Sequence, residues 1–430
     1  MILARVTCPH CWHVFQAHET LWVAAHPSLR GDPRLGDDAH TRFLPSRFTP
    51  GGGALDELGA ECTNLACPAC HLVIPRLCFE HAPWFVSIVG APGSGKSYYL
   101  ASAVQMLRRH MPDWFQVSFT DTQADFNQLV VGYEEQLFVN YNAHKPAALN
   151  QLVQKTQVQS PEHHSSVIVA GQSTLRPRPM LFSVRPQQSS DRPQPSDQSS
   201  RVMCLYDNAG ESFLSDEVAA ASPVTQHLAK AKLLLFLFDP TLHAKFHNLL
   251  SSQNIPIASD MPLDAAARRQ HLILTEMANR TRRHSGMAAG AKTDKILVVV
   301  VTKKDLWGPL LMRDHAGGPV VMDMKAATAL GRQSRVLRLD KIEAHSQRLR
   351  QILLDSAREI VDAAEGFAST VLYIGVSSLG VQPRQDPASK KWVVAPQDIK
   401  PDWVEVPILY GLNKTVPNLI TAGRAQSAKL

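Results

Sequence analysis

"GAPGSGKS", running from Gly90 to Ser97, is the stretch that decides the fold. It follows an apolar run of strand length, "WFVSIV" (84–89), and leads into a segment with Leu100, Val104 and Leu107 at helical spacing. Strand, glycine-rich turn and helix in that order fit the phosphate-binding loop pattern G-x-x-x-x-G-K-[ST]. Glycines let successive backbone N–H groups turn inward around an anion. The start of the helix adds the positive end of its dipole. On this reading Gly90, Pro92, Gly93, Ser94, Gly95, Lys96, Ser97 and Tyr98 are expected to hold a nucleotide. Lys96 would bridge its β- and γ-phosphates, and the Ser97 hydroxyl would ligate magnesium. The helix is expected to close on Arg108, Arg109 and His110, just before Pro112.

Outward from this loop, the chain from Trp84 alternates apolar runs with amphipathic stretches. "RVMCLYD", "KLLLFLFD", "ILVVVVTKKD" and "VLYIGVSS" are near-continuous apolar runs, as expected of strands buried on both faces of a parallel sheet. Ile342, Leu349, Leu353, Ile360, Ala364 and Phe367 mark a helical face before the last of them. Strand–helix alternation predicts a doubly wound α/β domain. "PQQSSDRPQPSDQSS" (186–200) lacks aliphatic and aromatic residues and reads as a loop, as does "SGMAAGAKT" (285–293). The first loop separates "MLFSV" (180–184) from "RVMCLYD" with no room for a helix, so these two strands are expected to pair antiparallel.

The base at the far end of the phosphates depends on what stands at the other strand ends. "LYDNAGE" ends a strand at Asp207, where a carboxylate can hold magnesium, and places Gly210 three residues on. "VVVVTKKD" runs from a buried strand into Thr302, Lys303, Lys304 and Asp305, and "YIGVSSLG" puts Ser377 and Ser378 at a strand end. In order and placement GAPGSGKS, DNAG, TKKD and SSL resemble the Ras-like, translation-factor-related branch of P-loop GTPases. That resemblance implies a mostly parallel sheet with one antiparallel strand pair, helices on both faces, and large insertions between the motifs. It implies GTP or GDP as ligand, with Asp305 accepting from the guanine ring N–H and amine. Thr302 and Ser377 flank that contact, the stem of Lys303 would cover the base, and the Ser378 N–H would reach the guanine carbonyl. Asp207 and Ser97 would hold Mg²⁺. The first-switch threonine is Thr174 in "GQSTLRPRPMLF" or Thr156 in "QKTQVQ". Glu211 stands where the family commonly has a water-positioning glutamine. A carboxylate there implies slow turnover, aided by a partner or by Arg176 or Arg178. "SSL" departs from the family's S-A-K, and Thr302 from its commoner Asn.

Six of the seven cysteines, from Cys8 to Cys78, precede the first of these strands. "CPHC" (Cys8–Cys11) and "CPAC" (Cys67–Cys70) are two Cys-Pro-x-Cys knuckles, which together can complete a tetrahedral Cys₄ zinc site. Zinc-ribbon pairs commonly lie about 15–20 residues apart. Here the interval from Cys11 to Cys67 is far longer, so Cys62, Cys78, His10, His13 and His71 stay open as alternatives, and a redox dithiol as the other chemistry. Cys204, within a strand, reads as a core thiol. We therefore expect a zinc-ribbon-like module over 1–82 and a Ras-like P-loop domain with insertions over 83–430. That combination is similar to the double-GTPase proteins of bacterial conflict and GTPase-associated systems.

Composition bounds the rest. With 430 residues, 44% apolar and 19% charged, the chain can bury a large core. Its net charge of +6 is mild. The basic stretch Arg268–His284 reads as a solvated helix face, so nucleic acid is not expected as a partner. No apolar run approaches the roughly 20 residues needed to span a bilayer, and no signal peptide opens the chain, so a cytoplasmic protein is expected. The functional expectation is a slow GTPase switch acting on a protein partner through the zinc module or the inserted loops. An ATPase of another P-loop class, and a scaffold whose nucleotide is never hydrolysed, are the rival readings.

Overall fold

The strands named above meet in one sheet because each is apolar toward both of its faces. The computed structural model describes residues 2–139, 142–153, 164–187, 197–208, 213, 225–253, 269–312, 321–327 and 333–423. The central sheet has seven strands: β1 (Ala82–Gly90), β2 (Val117–Asp121), β3 (Met180–Pro186), β4 (Arg201–Asp207), β5 (Leu233–Phe238), β6 (Thr293–Val301) and β7 (Ala368–Gly375). Their spatial order is β2-β3-β4-β1-β5-β6-β7. β4, β1, β5, β6 and β7 run parallel to one another, while β3 pairs antiparallel with β4. The antiparallel pairing expected for "MLFSV" and "RVMCLYD" is therefore present. A second antiparallel pair, β2 with β3, was not expected from sequence. In the five-residue β2 only Val117 and Phe119 are buried, too short an alternation to stand out from the helix it follows.

The principal helices are α1 (Lys96–Phe115), α2 (Ala124–Phe138), α3 (Gln270–His284), α4 (Leu339–Ser356), α5 (Arg358–Phe367) and α6 (Val406–Thr415). Side chains alternate across a strand, and β1 shows what each face receives. Trp84, Val86 and Ile88 pack with Leu100, Val104 and Leu107 of α1 and with Ile408 and Leu412 of α6. On the opposite face Val89 belongs to a cluster with residues of α3, α4 and α5. Phe85, together with Leu181, Val202, Cys204 and Tyr206, meets Val6, Trp12, Phe15, Ile74 and Phe79 instead. The β3–β4–β1 part of that face is thus covered by the N-terminal cysteine segment. Cys204 is fully buried there, as a core thiol should be.

Three local expectations are corrected. α1 does not stop before Pro112 but carries it inside the helix and ends at Phe115, with Gln116 in the left-handed region as its cap. Proline removes its own N–H bond and crowds the carbonyl four residues back, but buried Met111 and Phe115 hold the last turn against the core. Arg108 and His110 do not neutralise a helix end. Arg108 bridges Asp121 and Glu134, and His110 pairs with Glu405. The single amphipathic face read over 342–367 is two helices, broken at Ala357 with φ −152° and ψ 50°. Nor is the basic stretch of α3 a solvated face along its whole length. Arg280 is 1% exposed, bonds Glu276 at 2.7 Å and lies over the Phe213 ring. Arg282 bonds Ala291 and Gly366 carbonyls. Arg268 lies outside the described residues.

Asn127 of α2 holds the sheet edge in place. Its amide donates to the Leu181 carbonyl at 2.9 Å and accepts the Leu181 N–H at 2.8 Å. Asn127→Ala orphans that buried N–H, a loss of about 1–3 kcal/mol of stability. A urea unfolding curve checks it; an unchanged midpoint contradicts the role.

Candidate functional site

The C-terminal ends of the parallel strands form the edge at which open α/β sheets place ligands. β1 delivers Gly90 to this edge and α1 begins at Lys96. Gly93 and Gly95 have φ of 78° and 87°, the left-handed region that side chains resist. A Cβ on Gly90 would stand 2.9 Å from the Leu237 carbonyl oxygen and from Ser94 Oγ, so the loop is packed onto β5. Ser94 is fully buried, and its hydroxyl has no hydrogen-bond partner among the described residues. Lys96 is 8% exposed and folds back over the loop, its Nζ donating to Gly90 O at 3.0 Å. A cationic side chain and a helix start converging on one turn can together bind an anion.

Beside this loop, β4 ends at Asp207, level with Ile88 of β1. Asn208 follows, its side-chain amide donating to the Ile88 carbonyl at 2.9 Å. His227 bridges from below, bonding Asn208 Oδ1 at 2.9 Å and Ser87 Oγ at 2.6 Å. Burial lowers its pKa to about 3, so the ring is neutral. The sequence offered no signal for this histidine, whose partners are remote in the chain. Gly210, Glu211 and Thr156 lie outside the described residues. Thr174 is in a two-stranded hairpin, His164–Val169 with Gln172–Pro177, paired to Val167. That hairpin docks on the N-terminal segment through Arg34 and Ile168. Arg176 faces Ser165 in the same hairpin, and Arg178 lies near the Asp125 carbonyl.

At the other side of the loop β6 and β7 bring TKKD and SSL together. Thr302 N–H bonds the Phe238 carbonyl, and Lys304 N–H bonds the Val376 carbonyl at 2.9 Å. Lys303 has φ 56° and its Nζ reaches buried Asp239 at 2.5 Å. The Ser377 hydroxyl donates to the Asp305 carboxylate and accepts the Gly380 N–H at 2.7 Å. Ser378 is tied back to α1, its carbonyl accepting from Ser102 at 2.9 Å. Tyr98 donates its hydroxyl to the Leu149 carbonyl at 2.6 Å, and Tyr98, Leu379 and Val381 pack against one buried cluster that includes Ala101 and Ile399. Burial raises the Asp305 carboxyl above its ordinary range, with the Ser377 bond opposing. A desolvated carboxylate fixed from one side is a ready acceptor for paired N–H donors.

The cysteines resolve the alternatives left by spacing. Cys8, Cys11, Cys67 and Cys70 converge, all four sulfurs lying within 4.8 Å of one another. Cys8–Cys70 and Cys11–Cys67 are each 3.7 Å apart. Two sulfurs about 2.3 Å from one tetrahedral zinc stand about 3.8 Å apart, so the cluster fits that ion. The knuckles are conformational twins. His10 N–H and Ala69 N–H each point at the first sulfur of their knuckle at 3.3 Å, and Trp12 and His71 follow with φ of 60° and 61°. Cys62 and Cys78 are not members of this four-sulfur group: Cys62 is beside Asp56, and Cys78 is in the apolar cluster that packs around the knuckles. Among the histidines, His10 bonds the Val73 carbonyl and His71 bonds Asp32. Metal analysis of the purified chain should find about one zinc per chain, lost on replacing Cys67 and Cys70 by Ser, with protease sensitivity then appearing in the N-terminal cysteine segment. A folded, metal-free wild type contradicts this.

No family model matches the chain. A protein of Mycolicibacterium smegmatis, named "Putative ESX-1 scaffolding and assembly protein SaeC", is 24% identical over 268 residues. The match covers 57% of this chain and 61% of that protein, so the chain spans less than two thirds of that relative's length. Among the described residues no helix is long and apolar enough to cross a membrane.

Proposed function

We propose that the chain binds GTP and GDP at the C-terminal edge of its sheet and acts as a slow GTPase switch on a protein partner. One observation carries the reading. The Gly90–Ser97 loop, Asp207, and the Asp305–Ser377 pair stand at the ends of β1, β4, β6 and β7 in one sheet. The central order β3-β4-β1-β5-β6-β7, with β3 alone antiparallel among these six, supports it further. A mostly parallel sheet with an antiparallel pair directly before the Asp207 strand end is what the resemblance to Ras-like domains implies.

In this account Lys96 leaves the Gly90 and Ala91 carbonyls for the β- and γ-phosphates. The Ser94 hydroxyl, unpaired among the described residues, gains a partner. Ser97 and Asp207 hold magnesium, which supplies charge neutralisation on the phosphates. Asp305, oriented by Ser377, accepts both guanine N–H donors. A site built for those donors discriminates strongly against adenine, which lacks them. The output falls on protein partners. Support comes from the relative named for scaffolding and assembly, and from the cysteine cluster, which a bound metal would make a fixed element able to present a docking surface. The same relative favours a second reading, a scaffold in which the bound nucleotide is never hydrolysed; a turnover measurement separates the two.

Lys96→Ala removes the loop's one cationic side chain and should lower GTP affinity by about 100-fold or more, since charge-assisted bonds are among the strong ones. Asp305→Asn replaces an acceptor-only carboxylate by an amide. It should weaken GTP and favour xanthosine triphosphate, whose base presents a carbonyl to that amide. Competition titrations on wild type and variant check this. Equal competition by ATP, or an unchanged ranking in the variant, contradicts guanine recognition.

A further inference from the structure

A continuous line of buried contacts joins the first cysteine knuckle to the strand ends beside the Gly90–Ser97 loop. Trp12 follows Cys11 directly, and its backbone N–H closes the knuckle on the Cys8 carbonyl at 3.0 Å. Its indole N–H donates to the Tyr206 hydroxyl at 3.0 Å, and that hydroxyl donates to the Pro9 carbonyl at 2.5 Å. One phenol thus holds both sides of the knuckle. The Tyr206 ring stacks on His227, with centroids 4.7 Å apart and planes 9° from parallel.

His227 carries the contact onward with a defined tautomer. Asn208 directs its amide N–H to the Ile88 carbonyl, so its oxygen is the acceptor facing His227 Nε2. Nε2 therefore bears the proton, and Nδ1 accepts from the Ser87 hydroxyl. The neutral ring set by burial is the state this pattern requires. Ser87 and Ile88 lie near the end of β1, just before the loop, and Asn208 directly follows Asp207. Trp12, Tyr206, His227, Ser87 and Asn208 are all buried.

We propose that Tyr206 and His227 are positioning residues that transmit the state of the Cys8–Cys11 knuckle to the strand ends carrying Asp207 and Gly90, so that metal occupancy tunes nucleotide binding. The inference rests on the nucleotide reading above for its second half, and on geometry alone for its first. A metal-filled cluster fixes Pro9 and Trp12, which fix the phenol. The phenol fixes the imidazole plane, and the imidazole sets where β4 ends relative to β1. A cluster that loses its ion releases the far end of this line without touching the loop.

The test uses the full chain, with zinc added or stripped by a chelator. Tyr206→Phe removes one oxygen and leaves the ring stack, but orphans the Trp12 N–H and the Pro9 carbonyl. Hydrogen–deuterium exchange at residues 203–208 should become about tenfold faster or more, the scale of a buried bond left unmade. Zinc content should stay at about one per chain. The dissociation constant for GTP should rise by about tenfold, and stripping zinc from the wild type should produce a shift of the same size. Stripping zinc from Tyr206→Phe should add less than about threefold, because both changes cut one line. Wild-type exchange rates in the variant, or two fully multiplicative effects on GTP, overturn the proposal. If the wild type binds no GTP while exchange at 203–208 still accelerates, the nucleotide reading falls and the mechanical link stands.

Discussion

Strand β1 is the constraint on which the rest depends. It is bonded to β4 on one edge and β5 on the other, and its side chains are buried on both faces. A strand held on four sides cannot shift register without moving its whole apolar set to the wrong face. Its end is therefore a fixed point. The Gly90–Ser97 turn, the start of α1 and the neighbouring ends of β4 and β5 are all positioned from it. Gly90 has no room for a side chain because the turn is pressed onto Leu237.

The burial of β1 has an unusual source on one face. Helices cover it through Trp84, Val86 and Ile88, but Phe85 is covered by the cysteine segment. That segment is built of strands only two to five residues long, so its order depends on whatever draws four thiols together. Burial, and after it the neighbouring Cys11, Cys67 and Cys70, push the Cys8 thiol above its ordinary pKa, so a thiolate at Cys8 calls for a cation to neutralise it. In the metal-bound account the ion has two effects. It folds the segment, and through it completes the face of the sheet that carries the candidate site.

How much of this was legible in the sequence follows from the range of each interaction. Strands β4 to β7 were readable because each is locally apolar enough to be recognised without its neighbours. The Cys₄ cluster was readable because each knuckle is a local motif, although the long stretch between Cys11 and Cys67 carries no spacing signal. The antiparallel β3–β4 pairing followed from a loop too polar to be a helix. Edge strand β2 was not readable, since two buried apolar side chains in so short a strand are no pattern. The passage of α1 through Pro112 was hidden because tertiary burial of Met111 and Phe115 overrode a local breaker. Arg280 looked like surface charge but is covered by Phe213 and paired with Glu276, contacts that the basic run itself does not announce. The Trp12–Tyr206–His227 line was invisible because its first two members lie at opposite ends of a long sequence interval.

The central claim is that the strand-end edge recognises guanine. Its most direct measurement offers the purified chain an equimolar mixture of GTP and ATP with magnesium, removes free nucleotide by gel filtration, and identifies what is released on denaturation. The account predicts that guanine nucleotide is retained, as GTP or its product GDP, to near one per chain. Retention of adenine nucleotide, or of neither, would contradict it.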